Sequence, residues 1–271
     1  MKKYHFIAGL PRSGSTLLAA ILNQNPNFFA GISNPLGEFV KHIINSANLD
    51  PGWRSYTSDE RMKLVISGLF DNFYYDVEKP VCFSTNRNWA TQFHILNAIY
   101  PNAKIICVVR DIVEILNSFE WLYQKNPFKI SAVYGPTLKE NEDEPSFVSK
   151  NVYQRSYGTL TYIDRHLSAL KEIYFGPYNH KMMLIEYKHL CENPTNVIKN
   201  LYEFIEEPLY SHDFNKLEYE NISYDYHMNA PGMHTVRKNV QSDNKSLILP
   251  FDIIEKCTGM EFWRDYRFTQ E

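Results

Sequence analysis

The stretch KYHFIAGLPRSGSTLLAAILNQNP, residues 3–26, constrains this chain more than any other. Tyr4 to Leu10 is short, apolar and stopped by Pro11, as a buried strand is. From Ser13 onward Leu17, Ala20, Ile21 and Gln24 recur at helical spacing until Pro26 closes the run. A strand that turns into a helix over two glycines leaves the first-turn amides without intrahelical partners, and these gather where an anion can sit. In nucleoside triphosphate enzymes such a loop reads G-x-x-x-x-G-K-[ST], the lysine reaching the terminal phosphates and the hydroxyl holding Mg²⁺. Here Gly9-Leu10-Pro11-Arg12-Ser13-Gly14-Ser15-Thr16 keeps both glycines and the final Thr, and Ser15 stands where the lysine belongs. Arg12 offers a planar, permanently charged fork instead, and Ser13, Ser15 and Thr16 add hydroxyls. Such a site suits a short anionic tail without bound Mg²⁺.

The remainder alternates strand and helix. FFAGIS (28–33), KPVCFST (79–85), AKIICVVR (103–110) and KMMLIEY (181–187) read as strands, the third being the most continuous apolar run and a central parallel strand. Helical patterns cover 37–47, 61–77, 90–101, 111–124, 152–173 and 194–205, the last with Pro194 in its first turn. LKENEDEPS (138–146) is charged and reads as a loop. This order predicts an α/β fold, a parallel sheet flanked by helices on both faces. The last 60 or so residues, rich in Tyr, His and Asn, have weak periodicity and are expected to wrap over the sheet within one domain spanning 1–271.

With 271 residues, 44% of them hydrophobic, the chain can bury a sizeable core. A net charge of −3 argues against a broad nucleic-acid face, so any anion site must be local. Cys82, Cys107, Cys191 and Cys257 lie far apart with no CxxC pair, which points to reduced thiols rather than zinc or a disulfide framework. The opening MKKYHFIAGL ends its apolar run at Pro11 without a cleavage site, and no stretch approaches the roughly 20 apolar residues of a membrane span. A soluble, cytoplasmic protein is expected.

GLPRSGSTLL resembles the 5′-phosphosulfate loop of sulfotransferases that use 3′-phosphoadenylyl sulfate (PAPS), the branch with the tyrosylprotein sulfotransferases and many bacterial members. The resemblance implies a P-loop NTPase-like fold, a nucleotide donor that leaves as adenosine 3′,5′-bisphosphate, and no metal. That family holds the 3′-phosphate with an Arg at a strand end and a Ser eight residues on, and VVRDIVEILNSFEWL has Arg110 and Ser118 at that spacing. LIEYKHLCENP resembles the strand whose Tyr lies near the adenine, here Tyr187, and APGMHTVRKNV the late segment that closes over the nucleotide, with Arg237 and Lys238 as 3′-phosphate ligands. STNRNW (84–89) resembles a short motif of bacterial relatives.

Sulfuryl transfer needs a base for the acceptor proton and cations for the leaving phosphate; the resemblance gives the second task to Arg12. For the base the sequence departs from the branch, whose Glu falls, without gaps, on Ser33; Glu38 is the nearest carboxylate and His42 the reserve, one turn further on. Glu38 would equally serve to offset the dipole at a helix start. The family's Lys near the third strand is absent, and Arg87 is the substitute cation. The acceptor, a hydroxyl or amine on a small molecule, sugar, lipid or peptide tyrosine, stays open, as do two rival readings: a P-loop nucleotide kinase or NTPase, and a non-catalytic nucleotide-binding protein on the same fold.

Overall fold

The computed structural model describes residues 2–125, 151–219, 222–230, 233–242 and 245–264. The acidic stretch 138–146 lies outside them. Five strands, β1 (Lys3–Gly9), β2 (Phe28–Ala30), β3 (Val81–Thr85), β4 (Ile105–Val109) and β5 (Met182–Glu186), form one parallel sheet in the order β2-β3-β1-β4-β5. The strands expected from the apolar runs are therefore present, with β1 at the centre and β4 beside it.

Strand alternation splits the apolar residues between two cores, one on each face. Tyr4, Phe6, Ala8, Cys82, Ile105, Cys107 and Val109 face one core. Helices α4 (Asp59–Phe73), α5 (Phe93–Ile99), α6 (Ile112–Lys125) and α7 (Val152–Tyr174) close it with Phe70, Phe93, Ile115 and Leu167. Ile7, Val81, Phe83, Ile106 and Val108 face the other, under α1 (Ser15–Leu22) and α9 (Pro194–Ile205). Helix α2 (Leu36–Leu49) packs Leu36 and Val40 into the first core, and α3 (Pro51–Arg54) is a single exposed turn after it. Tyr187, expected at a strand end, begins the short helix α8 (Tyr187–Glu192) instead.

The C-terminal part packs into both cores. Leu217 joins the second, with Val236 and Val240 against it, while α11 (Phe251–Cys257) adds Ile253 and Cys257 to the first. Segments 214–219 and 236–240 run in opposite directions, tied by Leu217 N to Lys238 O, Val236 N to Tyr219 O and Val240 N to Phe214 O. The short helix α10 (Ile222–His227) lies between them. Cys82, Cys107 and Cys257 are buried free thiols, and Cys191 is half-buried. Among the described residues no helix is long and apolar enough to cross a membrane.

The connection after β1 leads toward β2 on one side of the sheet, and the one after β4 toward β5 on the other. The carboxyl ends of β1 and β4 therefore flank the crevice where parallel sheets bind ligands. Gly9, paired with Val108, sits at this seam with φ 121°. A Cβ there would stand 2.0 Å from the Val108 carbonyl oxygen. Gly9→Ala is expected to cost about 3 kcal/mol or more of stability, read by denaturant unfolding.

His5 on β1 is fully buried, stacked on Phe83, with Nδ1 accepting the Lys104 amide at 3.1 Å. Burial, with Lys3 and Lys104 nearby, pushes it down to about 3. The unfolded chain binds this proton below its ordinary value near 6.5, so stability falls as pH drops from there toward 3. Unfolding of His5→Gln, compared with wild type between pH 7 and 4, is expected to show a shallower loss of stability.

Candidate active site

Beyond Gly9 the chain stays tied to β4, Leu10 N donating to Val108 O at 2.9 Å. It then turns through two left-handed residues, Arg12 at φ 57° and Gly14 at φ 93°. A Cβ on Gly14 would meet the Tyr187 ring at 2.6 Å, so this glycine lets α8 close on the loop. Gly14 is the N-cap of α1, with no side-chain cap and no acidic residue in the first turn. The helix's positive end is left for a ligand to satisfy.

Arg110 follows β4 at the same seam and is 8% exposed. Its Nε donates to Glu114 Oε2 at 2.8 Å, its Nη1 to the Arg12 carbonyl at 3.3 Å, and its guanidinium lies 4.5 Å from the centre of the Tyr187 ring. Arg12 reaches across in turn, Nε donating to Ser118 Oγ on α6 and Nη1 to the Met233 carbonyl, each at 3.3 Å. The two anion motifs, about a hundred residues apart in sequence, thus form one cluster.

A cavity of about 400 Å³ opens on this cluster, within the range of small-molecule sites. Pro11, Arg12, Gly14, Ser15 and Thr16 of the loop line it, together with Arg110, Tyr187 and Arg237. Arg87 also lines the cavity, its Nη1 donating to Tyr162 Oη at 3.1 Å. Behind Tyr162 the buried His166 is pushed down to about 4 by burial, with Arg87 and Arg165 adding to the effect. Among the described lining residues are Arg12, Arg87, Arg110, Arg237 and Lys245, and neither an Asp nor a Glu. In a chain of net charge −3 this is a strong local segregation of charge.

Other residues singled out in the sequence take different places. Gly9 shapes the seam without lining the cavity, and Ser13 turns its hydroxyl to the Pro11 carbonyl at 3.3 Å. Ser118 enters through Arg12, and Lys238, exposed and outside the lining, contributes a carbonyl to the Leu217 amide. Glu38 is also outside: its exposed carboxylate accepts from Lys41 Nζ at 3.0 Å and Asn88 Nδ2 at 2.7 Å, on a separate depression. The Lys41 hydrogen bond holds it below the usual carboxylate range, which weakens it as a base. His42, on the same helix, is exposed and outside the cavity, whereas Ser33 lines it.

Sequence reasoning missed a pair on the C-terminal segment. His234 lines the cavity, with Nδ1 2.6 Å from Asp225 Oδ1 and its backbone amide donating to Asp225 Oδ2 at 2.9 Å. Asp225 is buried on α10, and Tyr224 beside it presents its ring edge-to-face to the imidazole at 5.0 Å. The nine-residue separation fits neither helical nor strand period; the available signal was that His234 falls inside APGMHTVRKNV, the segment expected to close over the nucleotide, with Asp225 in the aromatic stretch before it.

A central parallel sheet with a two-glycine loop between β1 and α1 is the P-loop NTPase-like fold. The sulfotransferase family model matches residues 5–211, and the chain belongs to that family. A sulfotransferase from Alicyclobacillus acidocaldarius is similar in structure, with TM-score 0.51, 17% identity, and coverage of 81% of this chain and 87% of that one. The sulfotransferase domain of the Synechococcus PCC 7002 olefin synthase matches with TM-score 0.49 and 15% identity over 94% of each chain. A mouse sulfotransferase, SULT7A1, solved with PAP, matches with TM-score 0.42 and 13% identity over 94% of this chain and 79% of that one. No curated protein sequence matches the chain.

Proposed function

We propose that this protein transfers a sulfuryl group from PAPS to a hydroxyl or amine acceptor and releases adenosine 3′,5′-bisphosphate. The observation that carries this reading is the contact of Arg110 with the Arg12 carbonyl, which sets two guanidinium groups and a helix amino end around one cavity. The residues fit a nucleotide with phosphates at both ends. The amides from Gly14 onward, with the Ser15 and Thr16 hydroxyls, receive the 5′-phosphosulfate, and Ser13 adds only its backbone. Arg12 neutralises the charge that grows on the 5′-phosphate as its bond to sulfur breaks. Arg110 takes the 3′-phosphate with Nη2, which has no partner among the described residues, while Glu114 and the Arg12 carbonyl fix its other nitrogens. Ser118 and Arg237 complete that end, Lys238 adds long-range charge only, and Tyr187 packs against the nucleotide. Arg87 steadies the transferring group.

Ser15 in the lysine's place removes the contact to a γ-phosphate, so a nucleoside triphosphate is the poorer fit. No metal is part of the proposal. The acceptor side carries Tyr162, Tyr224, Met228 and Met233, which favours a hydroxyl on an aromatic or apolar body. The buried free thiols Cys82, Cys107 and Cys257 favour a reducing compartment such as the cytoplasm.

Calorimetric titration with adenosine 3′,5′-bisphosphate tests the donor: binding that Mg²⁺-ATP does not match is expected, and equal or tighter ATP binding would overturn it. Arg110→Ala should weaken bisphosphate binding by about 2–4 kcal/mol, since a charge-assisted contact is lost from a buried position. Glu38→Gln, whose carboxylate lies on another depression, should leave sulfate transfer to a phenol within about threefold of wild type; a loss of about 10²-fold would restore it as the base.

A further inference from the structure

The acceptor's proton must go to a group on the cavity wall, and neither Glu38 nor His42 is there. The described lining residues offer one imidazole and no carboxylate. That imidazole is already oriented. Asp225 binds Nδ1 and the backbone amide of His234 with its two oxygens, which fixes the ring's direction and the tautomer with hydrogen on Nδ1. Asp225 does not line the cavity and His234 does, so the ring edge bearing Nε2 is the one turned to the cavity. Nε2 has no hydrogen-bond partner among the described residues. Arg12 donates to the carbonyl of Met233, the residue before His234, so the imidazole stands beside the guanidinium that faces the leaving phosphate.

We propose that His234 is the catalytic base of sulfuryl transfer and Asp225 its positioning residue, an inference that rests on the donor reading above. The Nε2 lone pair takes the proton of the acceptor O–H as that oxygen forms its bond to sulfur. The bond from sulfur to the 5′-phosphate oxygen breaks, and that oxygen keeps the electron pair beside Arg12 and the loop amides. The products are the sulfate ester, the bisphosphate and a protonated His234, which returns its proton to solvent. Asp225 stabilises that imidazolium, as a buried carboxylate behind a catalytic histidine does.

The charge around the ring suits the task. Burial lowers its affinity for protons, Asp225 raises it, and Arg12 from the loop and Arg87 from beyond β3 lower it, leaving it below the ordinary histidine value. His234 is then neutral near pH 7, as a base must be. Replacing Asp225 by Asn removes the contribution that favours the charged form, so the acid limb of kcat/KM moves to lower pH.

The test compares wild type, His234→Asn and Asp225→Asn with PAPS and two acceptors, an unsubstituted phenol and a nitrophenol already ionised at the assay pH. Water, read by bisphosphate release, serves as the acceptor where neither phenol reacts. His234→Asn should keep bisphosphate affinity within about threefold while transfer to the phenol, or to water, falls by about 10²-fold or more. Transfer to the ionised nitrophenol, which brings no proton, should fall far less. Asp225→Asn should slow transfer by about tenfold or more and shift the acid limb downward. Equal losses with both phenols, a wild-type rate in His234→Asn, or an unmoved acid limb would each overturn the base while leaving the donor reading intact. If His234→Asn lost bisphosphate affinity more than about tenfold, and His234→Gln did the same, the residue would be a donor contact and not a base. Absence of bisphosphate binding in wild type would remove the donor reading itself, and His234's role with it.

Discussion

The backbone approach of Gly9 to Val108 governs the rest of the site. With no side chain between them, the end of β1 lies flat against β4, and the Leu10 amide continues the pairing one residue past the strand. Arg12, three residues beyond Gly9, and Arg110, two beyond Val108, then have no choice but to meet. Two guanidinium groups so close repel one another. Glu114, the carbonyls of Arg12 and Met233, and the Tyr187 ring face offset that repulsion without removing the positive field from the cavity. On the proposed reading a doubly phosphorylated ligand completes the balance.

Arg12 bears the conformational cost of this arrangement. A non-glycine residue at φ 57° is uncommon, and such backbone persists where its surroundings hold it. Here the holding contacts come from two sides, Ser118 on α6 and Met233 on the C-terminal segment. On the proposed reading a bound nucleotide competes for Ser118, so donor binding trades an internal hydrogen bond of Arg12 for a charge-assisted one to phosphate. The Met233 contact couples the same arginine to the segment bearing His234.

Features written in contiguous residues were legible in the sequence. β1, β4 and the loop between β1 and α1 declare themselves through unbroken apolar runs and two glycines, and parallel pairing then brings Arg12 to Arg110. Arg110 and Ser118 could be read together because their eight-residue spacing, shared with the family, spans only the junction from β4 into α6. Glu38 shows where counting along the chain fails. Leu36 and Val40 turn inward on α2, and that amphipathic demand swings Glu38 toward Lys41 and Asn88. Asp225 and His234 left no periodic trace, since a short helix and an irregular return bring them together. Nothing in the strand and helix patterns encodes such a turn.

This division has a physical basis. Gripping an anion needs backbone amides and fixed cations, which the rigid seam of a parallel sheet supplies through local sequence. A base must instead face the acceptor side of the transferring group, away from the loop that holds the anion. On the proposed reading the C-terminal segment supplies that base, and it is anchored at the opposite end of α1: Gln24 bonds the carbonyls of Asp213 and Lys216, and Leu217 enters the core beneath. The helix whose amino end faces the cavity thus also fixes the segment bearing the imidazole. On the proposed reading, base and leaving-group site are held to one frame although Arg12 and His234 lie more than two hundred positions apart.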